Sequence, residues 1–255
     1  MKSRKTWEMT WKEIEEAIQN DAGIIIPIGA TEQHGPHLPV STDTIMATLS
    51  AIDLAEENNM LVALPMTYTC KSRPQTGGGM SYVGTVGLNG QTFIAMLKEV
   101  IQNYMRHGYK KIILLNGHME NNNFIYDAAY QAMEDEKYRD VKIVIFEMAF
   151  DTFPDDLMQE LFGDDFPGWG YDHAGIYETS ALLYRKPEVV QFENAVDDKL
   201  GKMVYYDILP IPEKFRSESG CLWKSKHATA EMGKRVWETQ LATLNKAIQD
   251  EFPLK

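Results

Sequence analysis

The chain has almost no cysteine: Cys70 and Cys221 are the only two in 255 residues, far apart and outside any Cys-x-x-Cys pair. That excludes a disulfide framework. No apolar run reaches the roughly 18 residues of a membrane helix, so no membrane partner is expected. The amino-terminal MKSRKTWEMTWKEIEEAI starts basic and turns amphipathic. It lacks the roughly 7–15-residue apolar core of a signal peptide, and a cytoplasmic protein is the expectation. Positive charge is scarce as well: 25 Lys and Arg stand against 37 Asp and Glu, a net charge of −12. A nucleic-acid partner would want a basic face, so none is expected. The surplus acid reads as a solvated surface. Gly77, Gly78 and Gly79 have no Gly-Lys-Ser/Thr after them, which excludes a P-loop. With no repeat, low-complexity segment or linker, residues 1–255 read as one domain.

What is present suits an α/β fold. Thr10 followed by Glu13 is a capping signature, and it predicts a helix over 10–20 with Trp11, Ile14 and Ile18 on one face. Ile24–Ile28 is apolar on both sides, as in the middle of a parallel sheet. Further helices are predicted over 43–58, 91–107, 123–137 and 229–252, and strands over 61–65, 111–115 and 141–146. Residues 172–184 lead into another helix; 67–90, 151–172 and 187–224 read as irregular. Alternating helices and strands predict a three-layer α/β/α fold with a mostly parallel central sheet. Ligands bind at the carboxyl ends of such strands. The polar segments after Ile28 and Leu115 both lie at such ends, so they should meet.

Those two segments carry the chemistry. Glu32 and His34 follow the first strand, and His118 and Glu120 follow the third. In extended chain, residues i and i+2 point the same way, so each pair can present a carboxylate and an imidazole to one point. Asp43, at the start of the next helix, is a fifth candidate. These residue types bind Zn²⁺ or Mn²⁺. Five exceed the about three protein ligands of one catalytic metal, and suffice for two metals if one carboxylate bridges. Two metals about 3.5–4 Å apart would activate water and polarise a scissile carbonyl. His173 is the candidate proton shuttle, because histidine titrates near neutral pH. Glu178 is either an orienter of His173 or a helix residue without a role. Trp169 is either a wall for a flat substrate or a core aromatic. The Gly77–Gly79 amides are either donors to an oxyanion or a flexible loop tip. His37, His107 and His227 are not expected as ligands, nor Cys70 as a nucleophile.

PIGATEQHGPHLPVSTD resembles the signature of the creatininase family, and LNGHMENN resembles its Asn-Gly-His segment in the form that continues x-Glu-Asn. KSRPQTGGG, GWGYDHAGIYETS and DEFP are also similar to that family, in the same order over nearly the whole chain. The resemblance implies a creatininase-like α/β fold, a binuclear Zn²⁺/Mn²⁺ centre and a homohexamer. By position it implies Glu32, Asp43 and His118 for one metal and His34, Asp43 and Glu120 for the other, with Asp43 bridging. It further implies His173 as the catalytic histidine, Glu120 as a group that also activates water, and Trp169 as a cover for the substrate. Gly78, Gly79, Met119 and Asp172 are the remaining substrate-binding candidates. Three positions depart from creatininases: Ala149 replaces a tryptophan, Met119 a tyrosine and Asp172 a glutamate.

The expectation is a binuclear amidohydrolase that opens the cyclic amide of creatinine to creatine with metal-activated water. The alternatives keep the metals and change the substrate, to C–C ring opening of a diketo-inositol or to a formamide. A protein whose metals only hold the fold is disfavoured, because five ligands leave two metals with open positions.

Overall fold

The structure is a computed structural model, and it describes residues 3–77, 79–147, 152–166, 168–198, 206, 208–210, 212–213 and 216–253. Helix α1 (Trp11–Gln19) begins as its sequence directs. The Thr10 hydroxyl accepts from the Glu13 N–H, and the Glu13 carboxylate accepts from the Thr10 N–H at 2.7 Å. Trp11, expected to face inward, is 68% exposed; the stripe that packs inward is Ile14, Ala17 and Ile18.

The chain then alternates: β1 (Gly23–Ile28), α2 (Thr42–Glu57), β2 (Met60–Val62), α3 (Pro74–Gly77), α4 (Gly90–Arg106), β3 (Lys111–Asn116), α5 (Asn122–Ala132) and β4 (Lys142–Phe146). Three more helices follow, α6 (Asp155–Phe162), α7 (Ile176–Arg185) and α8 (Ala230–Glu251). The strands form one parallel sheet in the order β2-β1-β3-β4. Side chains alternate across it with period two. Ile24, Ile26, Ile28, Ile112 and Leu114 pack with α1, α4 and α5. Ile25, Ile113 and Leu115 pack with α2 and α8 on the other face. This is the three-layer α/β/α arrangement expected.

Several elements differ from the sequence reading: the strand expected over 61–65 is Met60–Val62, and α3 falls in the 67–90 stretch read as irregular. The helix expected over 123–137 stops at Ala132, and Asp135 caps a separate turn by accepting from the Lys137 N–H. Helix α6 lies in a stretch read as irregular. Its acids hide a short apolar stripe, Leu157, Leu161 and Phe162, which is buried.

The sheet sets the site. Ile28 pairs in register with Asn116, so the chain leaves β1 and β3 at the same level. The Asn121 carboxamide ties the two exits together, donating to the Gly29 carbonyl at 2.9 Å and to Asn116 Oδ1 at 3.2 Å. The first turn of α2 rests on both exits. A Cβ at Gly29 would overlap the main chain of Thr44, and one at Gly117 would lie 2.7 Å from the Asp43 carbonyl oxygen.

Gly29→Ala should therefore cost about 1–3 kcal/mol by overpacking. At about 2–4 °C per kcal/mol in a chain of this size, thermal unfolding should show a clear fall in Tm; an unchanged Tm would refute the close approach of α2.

Candidate metal centre

Asp43 lies in the first turn of α2, where a carboxylate also suits the helix dipole. Its two oxygens face different imidazoles: Oδ1 is 3.0 Å from His34 Nε2, and Oδ2 is 3.0 Å from His118 Nδ1. His118 Nδ1 is also 3.2 Å from Glu32 Oε2. Glu32, Asp43 and His118 thus converge on one point, and His34, Asp43 and Glu178 on a second. Glu32, His34, Asp43 and His118 are all at most 4% exposed.

A third group, Glu32, His34 and His173, also has its ligand atoms within 4.8 Å of one another, and His118 Nε2 lies 3.5 Å from Glu120, so each acid–imidazole pair does come together. Around Asp43 itself, Glu32 joins His118 on the Oδ2 side and His34 faces Oδ1. Of the set expected around His34, the structure brings Asp43 close but puts Glu178, at 3.5 Å from His34 Nε2, where Glu120 was expected. Glu120 lies on the other side, 3.5 Å from His118 Nε2, and accepts from the Arg73 N–H at 3.2 Å. The signal for Glu178 was in the sequence, in the carboxylate that follows His173 into α7. It was read toward His173, whereas the helix turns it toward His34.

Backbone groups orient the imidazoles. His34 Nδ1 donates to the Glu32 carbonyl at 3.0 Å, which leaves Nε2 bare to face a ligand point. The Asn116 carboxamide brackets His118, accepting from its N–H at 3.1 Å and donating to its carbonyl at 2.7 Å. Asn116 and Asn121 were not singled out from sequence; their contribution is visible only once the two exits meet.

Several groups in this cluster have no hydrogen-bond partner among the described residues: Glu32 Oε1, His34 Nε2, Asp43 Oδ2 and His118 Nε2. His34 Nε2 and Asp43 Oδ2 each lie 3.0 Å from a group across the cluster without hydrogen-bond geometry, as donors do when they share an ion. No lysine or arginine among the described residues lines the cleft to offset its acids. Burial would raise the Asp43 carboxyl, but His34 and His118 hold it well below the usual range. Burial likewise opposes charge on the imidazoles, yet Asp43 and Glu178 push His34 well up, and Glu32 and Glu120 push His118 well up. Protons thus balance the cluster in the bare chain, and divalent cations would displace them. The donor set fits such ions.

The cleft above is small, with a volume of about 50 Å³. Met119, Glu120, Trp169, Asp172, His173 and Glu178 line it together with the cluster. Trp169 stands between the cleft and an aromatic cluster. It walls the cleft, and its ring packs on Phe153, Phe162, Phe166 and Tyr177 at centroid distances of 5.0–6.1 Å. The His173 ring lies over His34 at 4.3 Å. Asp172 reaches the cleft, but its oxygens accept from the Ile176 and Tyr177 N–H groups, both at 3.1 Å, and so cap α7. Gly79 is buried and closes a turn by donating to the Arg73 carbonyl at 3.2 Å; it does not line the cleft. Gly78 and Ala149 lie outside the described residues.

The sequence profile of the Creatininase family (creatinine amidohydrolase) matches residues 7–248. The creatinine amidohydrolase of Pseudomonas putida is 32% identical over 252 residues, 96% of each chain. The 3-dehydro-scyllo-inosose hydrolase of Thermotoga maritima is 31% identical over 95% of this chain and 81% of its own. Among solved structures, a mutant creatininase of Zn–Zn type superposes with a TM-score of 0.95 at 31% identity over 100% of both chains. A Mn form of creatininase superposes at 0.94 and 32% identity, over 99% of this chain and 100% of its own.

His37 gives a test of the buried environment. It is fully enclosed, with Nε2 2.9 Å from the Thr179 hydroxyl, and burial beside His34 pushes its pKa down to about 4. The unfolded chain therefore binds a proton here between about pH 6.5 and 4 that the folded chain does not, and stability is lost as pH is lowered through that window. At about 1.4 kcal/mol per pKa unit, the full effect is roughly 3 kcal/mol. In urea titrations of the metal-free protein, His37→Gln should flatten the acid side by that order; an identical pH profile would show that His37 is protonated when folded.

Proposed function

The chain belongs to the creatininase family, and we propose that it is a binuclear metal-dependent hydrolase that opens the cyclic amide of creatinine. The observation that carries this reading is Asp43, one carboxylate shared by two buried ligand groups. Glu32, Asp43 and His118 would hold one ion. His34 and Asp43 would hold the other, with Glu178 beside His34 and Glu120 beside His118 as the carboxylates available to complete its set. Bound there, Zn²⁺ or Mn²⁺ would polarise the amide carbonyl and make water acidic enough to add at neutral pH.

The chain's own residues supply the rest. Trp169 gives a flat ring a face to lie against, with Met119 also lining the cleft. Glu120 takes a proton from the incoming water. His173 delivers a proton to the ring nitrogen as the C–N bond breaks, so that the cyclic amide becomes a carboxylate and a free guanidino group. Residues 1–255 act as one domain in this reading, six chains assemble, and the enzyme works in the cytoplasm. Light scattering reads the assembly directly.

A second reading keeps the centre and changes the ring, to C–C opening of a diketo-inositol. Met119 favours it: a thioether without a hydrogen-bond donor lines the cleft where creatininases carry a tyrosine.

The test is a substrate panel of creatinine, keto-inositols and formamides on protein reconstituted with Zn²⁺ or Mn²⁺. Creatine should form with a kcat of about 1–10³ s⁻¹, the usual enzymic range. Two ions should bind per chain, and Asp43→Asn should weaken both. Turnover of a keto-inositol without creatinine would replace the substrate, and one ion per chain would overturn the shared-carboxylate centre.

A further inference from the structure

His173 is gripped by a residue that neither the motifs nor the ligand sets single out. Gln33 sits between Glu32 and His34 and is 6% exposed. Its main-chain carbonyl lies 2.7 Å from His173 Nε2, and its side-chain Nε2 lies 3.0 Å from the same atom. A carbonyl only accepts and an amide nitrogen only donates, so one ring nitrogen cannot satisfy both at once.

The orientation of the Gln33 carboxamide is fixed independently. Its Oε1 accepts from the Gly35 N–H at 2.9 Å, and its Nε2 donates to the Gly220 carbonyl at 3.0 Å. A flipped amide would face a donor with a donor and an acceptor with an acceptor. Gly220 lies so close that a Cβ there would overlap the carboxamide. The same strap holds the His173 main chain, because the Leu222 N–H donates to the His173 carbonyl at 2.9 Å. The amide gives one of its two hydrogens to Gly220, and of the two groups facing His173 Nε2 the carbonyl is the nearer, at 2.7 Å against 3.0 Å. The proton therefore belongs on Nε2. Nδ1 makes no hydrogen bond among the described residues.

We propose that Gln33 is the positioning residue for His173: clamped between Gly35 and Gly220, it holds the imidazole as the Nε2–H tautomer and leaves Nδ1 as the nitrogen that exchanges protons with the substrate. The catalytic part rests on the hydrolase reading above. The tautomer does not, since it can be read without turnover.

The experiment is ¹⁵N NMR of the imidazoles in the Zn²⁺-loaded protein, with His173 assigned by loss of its signals in His173→Asn. Nε2 should appear protonated and Nδ1 bare. Gln33→Met keeps the bulk and removes the carboxamide; Gly220→Ala displaces it from the other side. In both, the His173 signals should shift or average between tautomers, while bound zinc stays at the unmodified level. On the substrate identified by the panel, kcat should fall roughly 10–100-fold with KM changed less than about twofold, the part of the 10²–10⁴-fold effect of general acid–base catalysis that depends on placement. An Nδ1–H tautomer in the unmodified protein overturns the proposal. So does a zinc-replete Gln33→Met with unchanged His173 signals. Should no substrate turn over, the NMR result still decides the tautomer, and only the hydrolase reading falls.

Discussion

One carboxylate facing two buried imidazoles is the constraint on which the rest depends. Asp43 can serve both sides only if the start of α2 lies directly over the exits of β1 and β3. That requires a glycine at each exit, the β1–β3 register, and the Asn121 carboxamide that holds the exits together. None of this is the cheapest way to build a core. Buried charges cost several kcal/mol each in desolvation, and the cluster has no lysine or arginine among the described lining residues to offset it. The apolar sheet beneath, with β1 buried throughout, supplies the rigidity against which that cost is borne.

The site is divided between two bodies of packing. Glu32, Asp43 and His118 stand on the sheet and α2. Trp169, Asp172, His173 and Glu178 stand on the α6–α7 side, whose apolar cluster includes Phe153, Leu157, Phe162, Tyr177 and Trp237. Asp172 shows the division clearly. It reaches the cleft, yet both of its oxygens cap α7, so it fixes the helix that carries Glu178 and leaves no lone carboxylate for a substrate cation. Gln33 and Gly220 bridge the two bodies at His173.

The fold was legible because its signals are local and agree with one another. The Thr10–Glu13 cap, the all-apolar β1 and the helix–strand alternation each pointed to the same architecture. Helix α6 escaped because its acids outweigh a three-residue stripe in composition. Trp11 misled because spacing places a residue on a helix face without saying how far the core extends beneath it. In the site, the convergence of two strand exits followed from topology, and Glu32, His34, Asp43 and His118 do meet there. Glu32 and His34 come within reach of one another as the i, i+2 spacing suggested, even though the chain after Ile28 is a loop, with Glu32 bonded to Val40 and His34 bridged to Pro36 and Leu38. Gln33 was unreadable because its partners His173 and Gly220 lie more than a hundred residues along the chain, and the same separation hid the direction of Glu178, toward His34.

The pairing of Ile28 with Asn116 has a consequence for how such a chain can change. One residue added to an extended segment displaces the chain beyond it by about 3.3 Å, more than a metal–ligand bond of about 2.0–2.3 Å can accommodate. Segments 28–43 and 116–120 are therefore rulers, closed to insertion and deletion. Exposed turns such as 187–194 carry no such measure. A lineage built on this frame would change its substrate by exchanging side chains around Trp169 and Met119 and by growing its outer turns, while the distance between its ligands stayed constant.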